Sequence, residues 1–264
     1  MSSYELGAAS SVPMVPSSAA MQPNAAWRKL HRGASDRYRD CGRFAWQFAR
    51  GKLGRDPMFR ALLEHAMIAP GARVLDIGCG QGLMASLLAQ CDAMAAGGRW
   101  PSAWGVAPCG TRYTGVELMQ RDIARGQRAL ASLPHPPQLV CGDMRDTPFE
   151  ACDVVVVLDV LHYIERHAQD QVLARIRAAL APRGRLLLRV GDASQRWRFA
   201  ISQWVDWAVT MPRGHHTPPT WGRTLSQWHA ALQGLGFSVH AVPMSRGTPF
   251  ANVLLLCDLE ARTQ

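Results

Sequence analysis

Eleven residues between Arg73 and Leu83, R-V-L-D-I-G-C-G-Q-G-L, restrict the fold of this 264-residue chain more than any other stretch. Val74, Leu75 and Ile77 make a short apolar run of strand type with Asp76 near its end, and Gly78, Gly80 and Gly82 follow at alternate positions. The order is strand, tight turn, helix start. Glycine is needed there because the backbone must bend sharply and admit a ligand at contact distance, where a Cβ would collide. The spacing separates this bend from the dinucleotide-binding G-x-G-x-x-G, since the third glycine comes one residue early.

Downstream the same strand and helix unit recurs. Strands are predicted over 113–117, 138–141, 153–158, 185–190, 237–242 and 252–257, with helices over 83–90, 119–133, 169–180 and 225–235. Repeats of this kind specify a parallel sheet with right-handed crossovers. The fold class is therefore α/β, a Rossmann-like, seven-stranded, mostly parallel sheet with helices on both faces. Four consecutive valines, Val154 to Val157, suit a strand buried on both sides. Glu117 closes the second strand, where a carboxylate can accept hydrogen bonds from two ribose hydroxyls. Asp159, Leu161, His162 and Tyr163 follow the valine strand, at the edge where open α/β sheets place reacting groups.

An acidic residue two positions before G-x-G-x-G, together with Glu117 and the step Gly142-Asp143-Met144, resembles the class I S-adenosylmethionine-dependent methyltransferase family over about residues 74–257. The resemblance implies a cofactor site built from Asp76, Gly78, Cys79, Gly80, Gly82, Glu117, Leu118, Asp143, Met144 and Asp159. In it Asp143 would receive the adenine amine and the Met144 amide would meet a ring nitrogen. It also implies a last strand running antiparallel, and helices ahead of the first strand that lie over the cofactor. The acceptor pocket would then be lined by Tyr38, Tyr163, Trp197 and Trp204. Since a sulfonium methyl is already activated, the protein's task is to align donor and acceptor and, where needed, to take the acceptor's proton. His162, His215 and His216 are the candidate bases, and His162 can equally line the cofactor pocket. No N-P-P-Y or D-P-P-Y tetrad occurs, which disfavours methylation of DNA base amines.

Three regions remain. Residues 1–26 are rich in Ser, Ala and Pro and are expected to be a disordered tail. This tail lacks the basic and apolar parts of a signal peptide, so a cytoplasmic location is expected. Residues 27–70 form a basic helical cap, followed by the methyltransferase domain over 71–264. Between Trp27 and Arg60 ten Arg or Lys stand against three Asp, most of the chain's net charge of +9. A helix is expected from Asp36 through Phe48, its polar side carrying Arg37, Arg39 and Arg43, and another from Asp56-Pro57. Such a segment either steers an anionic partner or is a solvated arginine-rich face.

An insert over 192–223, with Trp228 just beyond, holds five of the nine tryptophans. It either roofs the pocket for a flat aromatic or polyene acceptor, touches a membrane interface, or forms a small core of its own. His215 and His216 lack further ligands at metal spacing, so no metal is expected. The seven cysteines show no C-x-x-C pair and read as free thiols.

The function expected is S-adenosylmethionine-dependent methylation of an oxygen or carbon on a small hydrophobic acceptor. A second resemblance, to methyltransferases of bacterial aryl-polyene pigment pathways, implies an acceptor borne on an acidic acyl carrier protein. The alternatives are an RNA methyltransferase that uses the basic segment to track phosphates, and a catalytically silent module that keeps the fold alone.

Overall fold

The computed structural model describes residues 21–191, 221–244 and 252–259. Seven strands form one sheet: β1 (Arg73–Ile77), β2 (Arg112–Glu117), β3 (Gln138–Cys141), β4 (Cys152–Leu158), β5 (Leu180–Gly191), β6 (Phe237–Pro243) and β7 (Asn252–Leu259). Their order is β3-β2-β1-β4-β5-β7-β6. The first five run parallel, and β7 is antiparallel to both β5 and β6. The strand order reverses beside β1, so the chain segments leaving β1 and β4 diverge and open a crevice at the carboxyl edge.

The valine run of β4 shows how the sheet is covered. Val154 and Val156 enter one apolar cluster with the helices of the amino-terminal half, while Val155 and Val157 enter the other with the later helices. Alternate residues point to opposite faces of a strand, so a sheet sandwiched between helix layers needs apolar residues at every position. The helices are α1 (Pro23–Asp36), α2 (Arg43–Arg55), α3 (Pro57–Glu64), α4 (Leu83–Ala96), α5 (Gln120–Leu130), α6 (Arg166–Ala179) and α7 (Leu225–Gly234).

The cap departs from the sequence reading in two ways. Pro23 to Ala26, assigned above to the tail, open α1, and Ala26 is fully buried. The single helix expected from Asp36 is broken, because Gly42 takes φ 101° between a 3-10 turn at Arg39–Cys41 and α2. Without a Cβ, Gly42 lets the chain change direction there at no steric cost. Asp56 does cap α3 as its position before proline suggests, its carboxylate accepting the Met58 N–H at 3.0 Å.

The cap is stitched to the sheet layer around α4. The Ser86 hydroxyl donates to Ala34 O at 2.8 Å, and the Arg37 guanidinium donates to Ser86 O at 3.1 Å and Gln90 Oε1 at 3.0 Å. Arg37 is thus turned inward, and Arg39 pairs with Asp36 while lying over the Trp46 ring. Of the three arginines expected on one polar face, Arg43 alone is exposed without an ion pair among the described residues. No described helix is long and apolar enough to cross a membrane.

Candidate functional site

The glycine bend stands at the carboxyl end of β1. Gly78, Gly80 and Gly82 have φ of 78°, 55° and 76°, a left-handed succession closed to β-branched residues. Two of them serve different ends. A Cβ on Gly78 would lie 2.4 Å from Val160 Cγ1, so glycine is needed for close approach to the turn after β4. A Cβ on Gly80 would meet nothing within 4 Å, so that position borders open space where a bound group can sit against the backbone. Cys79, assigned above to the cofactor site, is buried with its sulfur against Gly115, in the layer below.

Glu117 faces this bend from the tip of β2. Its carboxylate accepts the Gly80 N–H at 3.0 Å and the Met119 N–H at 2.9 Å. Leu118 beside it is half exposed, at 50%. Asp76, which the sequence reading put in contact with the cofactor, lies one layer down. It is 5% exposed, shares a face with Val74, and accepts a short hydrogen bond from the Tyr113 hydroxyl. Burial pushes its carboxyl up to about 7, against the pull of the Tyr113 hydrogen bond and with help from Glu117. The Asp76 side chain points to a face of the sheet, where its partner Tyr113 lies on the neighbouring strand β2.

Tyr38 also differs from expectation. It is fully buried and its hydroxyl donates to Gln81 O at 2.8 Å, so it braces the bend and does not line a pocket. The Gln81 amide in turn donates to Ala45 O at 3.0 Å, tying the start of α2 to the bend. Neither contact was read from sequence. The available signal was a long polar residue placed between two glycines.

On the next strand tips, Asp143 carries Arg145 as a forked partner with contacts of 2.6–3.0 Å, which holds its carboxyl below the usual carboxylate range. Met144 packs on the apolar cluster of the later helices, and its carbonyl accepts from Arg175 at 2.8 Å. Asp159 has φ 58° and is engaged by Arg189, through Nε at 2.9 Å and through Nη2. This makes it part of a buried ion cluster, a role the sequence reading did not give it. His162 and Tyr163 lie together with ring centroids 4.4 Å apart. Burial pushes His162 down to about 4 against the pull of Asp159, which leaves the imidazole neutral at pH 7. Trp197, Trp204, His215 and His216 lie outside the described residues. Among the described residues, no group of three or more His, Cys, Asp or Glu is placed to hold a metal ion.

The bend, Glu117, Leu118, Asp143, Met144 and the turn after β4 therefore share one edge of the sheet, above a floor made by Asp76, Cys79 and Tyr113. A family described as a methyltransferase domain matches residues 46–242. A carboxy-S-adenosyl-L-methionine synthase from Chromohalobacter salexigens is 30% identical over 129 residues, 48% of this chain and 43% of that one. The enzyme of the same name from Hydrogenovibrio crunogenus is 27% identical over 121 residues, 45% of this chain and 42% of that one. The matched stretch thus spans less than half the length of these curated relatives. In fold, the chain is similar to the magnesium protoporphyrin IX methyltransferase of Synechocystis PCC 6803 solved with bound SAH, at a TM-score of 0.55 and 15% identity, covering 90% of this chain and 100% of that one.

Proposed function

This chain belongs to the class I S-adenosylmethionine-dependent methyltransferase family, and from that premise we propose that it moves the methyl group of S-adenosylmethionine to an oxygen or carbon of a small hydrophobic acceptor. The observation that carries the reading is the pairing of Gly80, whose α-carbon borders open space, with Glu117 3.0 Å from its amide. A nucleoside fits that arrangement. The Glu117 carboxylate is placed to exchange its backbone donors for two vicinal hydroxyls, and the bend lets a ligand approach the backbone directly.

When bound, the cofactor supplies a methyl group already activated by positive charge. The chain's own residues then have three tasks. Glu117 and the bend fix the nucleoside, with Asp143 and the Met144 amide toward the base once Asp143 yields part of its hold on Arg145. Tyr38 and Gln81 keep the bend rigid, since alignment within about 1 Å governs how well such a transfer proceeds. Tyr163 and the turn around it border the acceptor side. A proton from a phenol or enol would be taken by a histidine, and His162, His215 and His216 are the candidates that the sequence offers.

A carrier-bound acceptor would meet the exposed cations of the cap, among them Arg28, Lys29, Arg32 and Arg43. The test is calorimetry with S-adenosylhomocysteine on wild type, Glu117→Ala and Gly80→Val, followed by incubation with methyl-labelled cofactor and a panel of phenols and acyl carriers. Both variants are expected to bind the nucleoside at least tenfold more weakly. Equal binding in all three proteins overturns the site. Products are identified by mass. In a parallel incubation that adds a carboxyl donor, a carboxylated sulfonium nucleoside in place of S-adenosylhomocysteine would overturn methyl transfer in favour of the activity named for the curated relatives.

A further inference from the structure

Strand β5 reads L-L-L-R-V-G near its end, a charged residue inside a run that is otherwise core. The Arg189 side chain is 1% exposed. A guanidinium does not lose its charge in a protein, so burial demands partners. It has two. The fork grips Asp159 through Nε and Nη2, and Nη1 donates to Asp56 Oδ1 at 2.5 Å. Lys52 completes the set, 2.9 Å from Asp56 and 3.8 Å from Asp159. Two cations and two anions cancel, so the cluster has no charge left over for a ligand. Buried ion sets of this kind are often no more stabilising than apolar residues of the same volume. What this one does supply is direction, because three elements must be in place at once for it to form.

Those elements all lead to the cofactor edge. Asp56 ends α2 and caps α3. The other end of α2 holds the glycine bend through Ala45 O and the Gln81 amide, about 16 Å away along the helix axis. Asp159 is held left-handed just past β4, and the next residue, Val160, packs against Gly78. We propose that Arg189 is a positioning residue for methyl transfer, locking the cap helix α2 and the turn after β4 against the two sides of the glycine bend so that the nucleoside site keeps its shape. The inference rests on the reading of that site as one for S-adenosylmethionine.

The experiment compares S-adenosylhomocysteine affinity with folding stability in four purified variants of the full chain. Asp56→Asn keeps a good helix cap but removes one anion. Arg189→Lys keeps the charge but loses the fork. Arg189→Met removes both, and Asp153→Asn alters an ion pair with Arg73 at the opposite edge of the sheet. Asp56→Asn is expected to weaken S-adenosylhomocysteine at least tenfold. Arg189→Lys should fall between wild type and Arg189→Met, and Asp153→Asn should bind as wild type does. Should Arg189→Met fail to fold, Asp56→Asn and Arg189→Lys still decide the matter. Affinity within twofold of wild type in both, with the fold intact, overturns the inference. So does an affinity loss in Asp153→Asn equal to that in Asp56→Asn, which would mark a general softening of the fold. Failure of wild type itself to bind S-adenosylhomocysteine would overturn the cofactor reading first, and is seen separately.

Discussion

Asp76 in β1 and Asp159 just past the neighbouring β4 are both carboxylates drawn out of solvent at the carboxyl half of the sheet, yet their surroundings treat them in opposite ways. Asp76 faces a neutral phenol, Tyr113, and burial raises its carboxyl to about 7. For Asp159 burial also pulls upward, but Arg189 and Lys52 pull down harder and the net shift is downward. A single hydrogen bond cannot replace the water lost around a charge, whereas a forked guanidinium can. The first site can hold a proton and the second is a fixed ion pair. This edge of the sheet thus combines a protonatable floor with an ion-paired wall.

The largest expected effect tests the wall. Arg189→Met leaves Asp56 and the partly exposed Asp159 with Lys52 as their remaining cation, and breaking a buried pair from one side typically costs about 3–5 kcal/mol. A urea midpoint corresponding to a loss below about 1 kcal/mol would break the contrast. Gly78→Ala comes next. The left-handed conformation costs about 1–2 kcal/mol, and the contact with Val160 adds an overpacking term of about 1–3 kcal/mol. Gly80→Ala, with the same backbone problem but open space around it, should show the first cost alone. Equal losses in the two would mean that Val160 does not press on the bend.

On the floor, Tyr113→Phe removes the one side-chain donor described to Asp76 and is expected to cost about 1–3 kcal/mol above neutral pH, where the carboxylate is charged. A further test is pH dependence, whose sign separates the two regions. Asp76 binds its proton more tightly folded than unfolded, so its contribution to stability is present at low pH and is lost as pH rises from about 4 to 7. Asp159 and Asp56 are shifted downward, so their contribution is present above pH 4 and is lost as pH falls below it. Thermal midpoints of Asp76→Asn across pH 2 to 8 should lack the first slope and keep the second. Retention of both slopes would mean that Asp76 is ionised throughout.

Much of this edge was legible in the chain, and the reason is local. A bend that needs three left-handed residues is written most cheaply with glycine, so Gly78, Gly80 and Gly82 announce themselves. Glu117 at a strand tip and the four valines of β4 are likewise fixed by position within an element. Tyr38 in the acceptor pocket was an expectation of the resemblance alone, and its bond to Gln81, 43 residues along the chain, has no signature in spacing. Asp159 was given to the cofactor because its partner Arg189 is 30 residues away along the chain. A pairing at that distance has no signature in spacing.

The amino-acid order by itself determined the alternation of strands and helices, the glycine bend and the acidic tip facing it, since each follows from backbone geometry and periodicity over a few residues. Only the tertiary structure decided which carboxylates meet a proton donor and which meet a guanidinium. That choice depends on what the packing of distant segments brings within 3 Å after water is excluded, and no short stretch of sequence contains that information.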